Sequence, residues 1–424
     1  MTDSTKQPRT KGLFLPPLFQ LILSGIGLSI SLLLGALFIL GGVFGLIEQS
    51  LSSELLTFFS MGWSALLVGG LFLPPLVQSV QQLTGKETHF SQKSNFRAAS
   101  ILMALWVPLL LLGQWIANSE FLPWLFLPPL QTILMATPIF FLIELARRKL
   151  NHPEGGASGV YSFGVVLTQP LVLLVEMVSL VGVSILVIGW ISTQPAWMDE
   201  ITRLSQSLMN AQIDPQVLEQ IVLPYLQKPA VIVAVLAIGA GFIPLLEELM
   251  KPLALWVMVG RKLDETAGFV LGLFAGGTFA LLESLGVAVS AAGQDWSSII
   301  VARLGTGILH ITTTALMGWG LAAAWKNRKY VQLGLTFLVS FTLHAVWNML
   351  GIYLGIQEYL PADTNPVLKS AGPIALGLLA AVMVLILLAA NRRFRKEQTR
   401  DDSTVLIVDG IDTGKPGESN FERR

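Results

Sequence analysis

Apolar residues run along this chain in long blocks, separated by short polar breaks. Counted by length, the blocks fall at roughly 14–47, 53–82, 98–117, 122–146, 160–193, 229–260, 266–291, 297–325, 330–357 and 371–391. Each is long enough to cross a bilayer as a helix, which takes about 20 apolar residues. The pattern therefore predicts an all-α fold: a polytopic transmembrane helical bundle of about ten spans. The block at 160–193 is long enough to be tilted or broken. The polar breaks alternate in character. Lys6, Arg9 and Lys11 precede the first block; Lys86, Lys93 and Arg97 lie between the second and third, and Arg147, Arg148 and Lys149 between the fourth and fifth. Arg261 and Lys262, then Lys326, Arg328 and Lys329, then Arg392, Arg393, Arg395 and Lys396 continue the series, while breaks such as "ANSE" and "GQDWSS" are almost free of basic residues. Basic residues mark the cytoplasmic side of membrane proteins, so both termini are expected there.

The same pattern divides the chain. Residues 1–13 form a short cytoplasmic segment, 14–194 a first transmembrane region of about five spans, and 195–228 the longest outer loop. In that loop "WMDEITRLSQSLMNAQ" and "DPQVLEQIVLPYLQ" have helical apolar spacing, fitting an interfacial connector or a substrate-admitting lid. Residues 229–357 form a second helical core, 358–391 the last loop and span, and 392–424 a charged, Gly/Ser-bearing tail expected to be disordered. The motif "FLPPL" recurs at 14–18, 72–76 and 126–130 at different depths, so it marks Pro-kinked span ends rather than a structural repeat. The first apolar block is too long for a signal-peptide core and lacks a small-residue cleavage site.

Composition agrees with a membrane protein. Of the 424 residues 53% are hydrophobic and 13% charged, with a mean hydropathy of +0.66, against about 25% charge in soluble domains. Formal net charge is zero, giving no sign of a nucleic-acid partner, and the absence of cysteine excludes disulfides and thiolate metal sites.

Against this background the informative residues are the polar ones at membrane depth, which must find a partner or a hydrated cavity. They gather on four successive spans. The sixth carries Glu247, Glu248 and Lys251, the seventh Glu283, the eighth Arg303, His310 and a threonine run, and the ninth His344 and Asn348. Lys251 stands four and three residues from the two acids, so it can neutralise either on one helix face. Arg303, Gly307, His310 and Thr314 share a face of the eighth span; His344 and Asn348 stand at i and i+4, with Ser340 one turn earlier. On the seventh, Gly268, Gly272, Gly276, Ala280 and Ser284 form a small-residue stripe, which lets helix backbones approach closely and turns Phe279 and Glu283 toward neighbouring helices. Each residue also has a plainer reading: a buried ion pair for Glu247, Glu248 and Lys251, a protonated acid for Glu283, interhelical hydrogen bonds for the histidines and Asn348, a snorkelling Arg303. Glu176 is a further mid-span acid, with a salt bridge as its default. His89 and His152 fall in loops.

Carboxylates beside imidazoles in a low-dielectric cavity suit activation of water. A Glu acts as general base and then returns the proton to a leaving amine. Imidazole and amide groups hold a metal or stabilise an oxyanion. Glu283, His310 and His344 would make a three-ligand site with one position open to water, with Glu247 or Glu248 as base. A water held by Glu and His without metal is the alternative. There is no HExxH or GxSxG motif, and Asp199 and Asp295 lie outside the membrane centre, against an aspartyl dyad.

"EELMK" (247–251), "FALLE" (279–283), "HITTT" (310–314) and "HAVWN" (344–348) resemble the four motifs of the PrsW-type intramembrane proteases. That family is related to the CAAX prenyl-protein endopeptidases and bacteriocin-processing proteins. The acid at Glu283 marks the PrsW branch, and Lys251, where the CAAX enzymes carry an Arg one position later, favours it too. The resemblance covers about 240–352. It implies an intramembrane endopeptidase of the bacterial cell membrane, cleaving membrane-anchored proteins such as anti-sigma-factor-like regulators. Glu247, Glu248, Glu283, His310, His344 and Asn348 would be catalytic, with Lys251, Phe279, Arg303 and Thr314 supporting and Zn2+ as an optional cofactor held by Glu283, His310 and His344. An ion-coupled transporter and a non-catalytic scaffold of the same superfamily are the rival readings. The transporter would carry weak symmetry between halves, which the sequence lacks.

Overall fold

The computed structural model describes residues 15–86, 94–119, 123–150, 156–210, 217, 221, 223–225, 228–259, 263–289, 295–357 and 366–411. Its described residues contain helices and no strands, and ten helices or helix pairs are long and apolar enough to cross a membrane. These spans are Pro17–Ile47, Ser52–Leu83, Phe96–Ala117, Pro123–Ala146, Gly156–Ser192, Pro229–Trp256, Glu265–Val287, Trp296–Asn327, Tyr330–Gln357 and Ser370–Arg400, numbered one to ten below. The chain is an integral, multi-pass membrane protein. Lys6, Arg9, Lys11, His89, Lys93, His152, Arg261 and Lys262 lie outside the described residues.

Burial sets the layers. In spans four, seven and eight 61%, 72% and 67% of the most apolar stretch is buried, against 6–39% in the other seven. Three helices thus form the centre, and the rest turn apolar side chains outward, as lipid-facing helices do. The central trio is pinned by polar contacts that hydrocarbon makes obligatory. Trp296 of span eight donates from Nε1 to Gln131 Oε1 of span four at 3.2 Å, and Gln131 Nε2 reaches Ser60 of span two at 2.6 Å. Asn391 of span ten donates to the Ala146 carbonyl at 2.7 Å.

Spans seven and eight make the tightest contact. A Cβ added at Gly268, Gly272 or Gly276 would lie 2.4, 2.5 or 2.3 Å from the backbone oxygens of Gly318, Thr314 and His310. No side chain fits there, so the glycine stripe read from the sequence is a backbone-to-backbone seam. Span seven starts cleanly because the Asp264 carboxylate caps it, accepting from Ala267 N at 2.7 Å. Glu265 then ties its end to Trp319 (2.8 Å), Asn327 (3.0 Å) and Lys329 (2.7 Å).

Two spans are locally irregular. Span five widens, without breaking, at a π-helical segment, Gly164–Thr168, and span six carries another, Ala237–Phe242. Span six then runs as an α-helix from Ile243 to Met250 and breaks at Lys251–Pro252, because proline offers no N–H to continue the ladder. "FLPPL" at 72–76 sits at a break within span two, where Phe72 is fully buried and its ring fills the space a Cβ on Gly27 would need.

The stretch 195–228 begins with the helix Pro195–Asn210, where Lys228 pairs with Glu200 and lies over the Tyr225 ring at 4.8 Å. Most of its second expected helix lies outside the described residues. Span ten does not give way to an irregular tail at Arg392: its helix continues from Pro366 to Ile411. Charged helix-formers carry it on, Arg393 bonding Glu397 at 2.9 Å one turn later. Residues 412–424 lie outside the described residues.

Gly276→Ala is expected to destabilise the protein by about 1–3 kcal/mol, the usual penalty of overpacking. Gly286→Ala, with nothing within 4 Å of the new Cβ, should leave stability unchanged. Thermal unfolding of both variants in detergent checks the contrast.

Candidate active site

The four polar spans bring their ionisable groups to one point. Its centre is the Lys251 ammonium, 1% exposed although it lies at the helix break of span six. Nζ stands 2.8 Å from Glu247 Oε2 and 2.8 Å from Glu248 Oε1. It is also 2.9 Å from His310 Nδ1 and 3.2 Å from His344 Nδ1, with the Phe279 ring 4.7 Å away. A lysine buried this deeply persists only when acids and acceptors surround it.

Hydrogen-bond accounting assigns the imidazoles. His344 Nδ1 lies 2.8 Å from Glu248 Oε1, and a carboxylate only accepts, so the proton sits on Nδ1 and the lone pair on Nε2. His310 Nε2 lies 2.5 Å from Glu283 Oε2, which places its proton there and leaves the Nδ1 lone pair for Lys251. Glu283 is held in turn by Arg303, whose guanidinium nitrogens lie 3.3 and 3.1 Å from its two oxygens; Arg303 Nε donates to Ser284 at 3.2 Å. Arg303 does not snorkel; it fixes the acid that fixes His310.

Glu247 and Glu248 are unlike. Glu248 is fully buried and accepts from Lys251, His344 and Thr313, the last at 3.1 Å. Glu247 is 12% exposed, and its Oε2 faces the Lys251 ammonium at 2.8 Å as an ion pair. Adjacent residues on one helix point about 100° apart, so one acid enters the core and the other edges the cluster. Glu283, whose side chain is 34% exposed, forms the other open edge.

The ligating atoms of Glu247, His310 and His344 all lie within 4.8 Å of one another, with His344 Nε2 3.7 Å from Glu247 Oε2. The three-ligand grouping is thus Glu247 with the two histidines, whereas Glu283 stands behind His310. Oxygen and imidazole donors of this kind suit zinc or another divalent transition metal. A hydrogen-bonded carboxylate behind a histidine is the usual orienting partner of such a ligand.

The other residues singled out in the sequence surround this group. Asn348 donates to the Gly239 carbonyl at 2.9 Å, latching span nine to the π-helix of span six. Thr314 is buried and its hydroxyl has no hydrogen-bond partner among the described residues; it is Thr313 that reaches Glu248. Ser340 supports that contact by donating to the Thr313 carbonyl at 2.9 Å. Phe279 packs edge-on to His310 with ring centres 5.0 Å apart. Glu176 makes no salt bridge among the described residues; span five carries its carboxyl to hydrogen-bonding reach of Glu247.

Residues 216–390 match the PrsW family intramembrane metalloproteases. That segment holds spans six to nine and most of span ten, and with them every residue of the Lys251-centred cluster. Among curated proteins and among solved structures the chain finds no match. The PrsW segment thus coincides with the polar cluster, whereas spans one to five, including Glu176, precede it.

Glu248→Ala would strip the shared acceptor from Lys251, His344 and Thr313. It is expected to destabilise the fold by about 3–5 kcal/mol, the range for breaking a buried pair. Glu397→Ala, whose partner Arg393 is exposed, should lose less than about 1 kcal/mol. Denaturant unfolding in detergent, followed by circular dichroism, reads both.

Proposed function

We propose that this protein is an intramembrane endopeptidase of the bacterial cell membrane, hydrolysing a peptide bond in or near the transmembrane segment of a membrane-anchored substrate. One observation carries the reading: within the PrsW segment, Glu247, His310 and His344 direct ligand atoms at one another beside a partly exposed carboxylate edge. The alternation of basic loops supports cytoplasmic termini. Regulators of the anti-sigma-factor kind are the substrate class this branch suggests.

Glu247, His310 and His344 would hold a zinc ion, and the fit rests on the chemistry of that donor set and on their ligand atoms lying within 4.8 Å of one another. When bound, zinc supplies Lewis acidity that makes water a nucleophile near neutral pH. The chain's own groups do the rest. Glu247, at the open edge, would lend one carboxylate oxygen to the ion and with the other take a proton from the attacking water as the water oxygen bonds to the scissile carbonyl carbon. The same carboxyl then delivers that proton to the amide nitrogen as the C–N bond breaks, so one carboxyl serves as base and then as acid. Glu248 holds Lys251 and the Nδ1–H of His344, fixing which nitrogen of that ring stays free. Glu283, steadied by Arg303, does the same for His310. Asn348 has a second amide N–H beyond the one given to Gly239, and this one serves a substrate oxygen.

Glu247→Gln and His344→Ala should each lower cleavage of a cognate single-pass protein by at least ~100-fold, the scale of a lost general base, with unchanged elution in detergent. Reconstituted full-length chain, assayed by gel shift of candidate substrates and by metal analysis before and after chelation, reads the result. Cleavage undiminished in Glu247→Gln would sink the assignment, and substrate-independent ion flux across the vesicles would favour a transporter.

A further inference from the structure

We propose that Lys251 is a built-in rival of the metal: its ammonium takes up two of the three donors, Glu247 and His310, that a divalent ion would use, and the two cations exclude each other. The inference rests on the metal reading above.

Two residues of the proposed donor group, Glu247 and His310, present acceptors to the same nitrogen. Nζ is 2.8 Å from Glu247 Oε2 and 2.9 Å from His310 Nδ1, with Glu248 Oε1 as its third acceptor at 2.8 Å; it lies beside the protonated Nδ1 of His344, at 3.2 Å, and leaves the Nε2 lone pair of that ring unengaged. An ammonium has three hydrogens and no lone pair, so it satisfies acceptors arranged around a point much as a small cation does. His310 makes the exclusion specific. Its Nε2 proton goes to Glu283, leaving Nδ1 as the ring's one lone pair, and that lone pair is directed at Lys251. A metal on Nδ1 removes that hydrogen bond. Charge removes the rest, because a lysine and a dication a few ångströms apart in a low-dielectric interior repel strongly.

The surroundings offer Lys251 somewhere to go. Glu248, which is not in the donor group, holds Nζ at 2.8 Å, and the Phe279 ring presents its face at 4.7 Å. An ammonium can rest between a carboxylate and an aromatic face. Lys251 also ends a helix immediately before Pro252, so the next residue offers no N–H to a continuing ladder. Glu248 thus acts as the holding partner of the lysine whichever cation occupies the centre. The metal-free fold is stable because the site carries its own counter-cation, and metal binds more weakly than the donors alone would allow.

The test uses full-length protein in detergent, stripped with a chelator and titrated with zinc against a chromophoric competitor. Lys251→Met should bind zinc at least tenfold more tightly than wild type. Its metal-free form should unfold at lower temperature, with zinc recovering more of the loss than it adds to wild type. Lys251→Arg, still a cation, should bind no more tightly than wild type. If the Met variant does not fold, Lys251→Gln, which keeps a hydrogen bond to Glu248 without the charge, carries the same expectation. Folded Lys251→Met or Lys251→Gln binding zinc no better than wild type overturns the inference. A parallel His310→Ala arm separates two failures. Zinc binding that depends on His310 yet ignores Lys251 removes only the rivalry. Zinc binding absent from wild type and every variant, or indifferent to His310, removes the metal reading and the rivalry with it.

Discussion

At three successive turns of span seven, a glycine leaves room for a carbonyl oxygen of span eight. The site depends on this seam. Hydrocarbon supplies no hydrophobic drive between helices, so close backbone contact and polar bonds must hold them. With the axes this close, the next turn of span seven places Phe279 against the His310 ring and Glu283 on its Nε2. His310 is itself a wall of the seam, since its backbone oxygen is what Gly276 approaches. Packing and site geometry are therefore one constraint.

Onto this rigid pair the other two spans bring charge. Three ionisable groups of span six could not sit in a membrane singly, and they do not. Lys251 offsets one acid directly and meets both imidazoles, while Glu248 orients span nine through His344. Arg303 balances Glu283 on the far side. Breaking the set at any point leaves a charge stranded, which favours moving together over loosening one group at a time. The exposed edges at Glu247 and Glu283 are where that closure is incomplete, and they are where a substrate would have to enter.

Much of this was legible in the sequence because membrane spans obey a strong rule of length and hydropathy. The ten spans, the four polar helices and the glycine stripe all follow from counting. The i, i+3 and i, i+4 spacings correctly paired Lys251 with Glu247 and Glu248. Contacts between spans were not legible, since helical periodicity says which residues share a face but not which faces meet. Lys251 reaching two histidines, Glu283 standing behind His310 and Glu176 meeting Glu247 are all of this kind. In "HITTT" three consecutive threonines give no hint of which one faces Glu248. Sequence spacing also assumes regular α-helix, and spans five and six are not regular.

That irregularity shapes how the chain can vary. The wider turn at Ala237–Phe242 holds a residue more than an α-helical turn would, and Asn348 is bonded to a carbonyl inside it. Losing one residue there would swing everything downstream through about 100°, carrying Glu247, Glu248 and Lys251 away from the histidines. The extra residue behaves as a phase shifter, fixing the angular alignment between the two halves of span six. Kin of this protein should therefore tolerate changes of side chain within that turn far more readily than changes in its length.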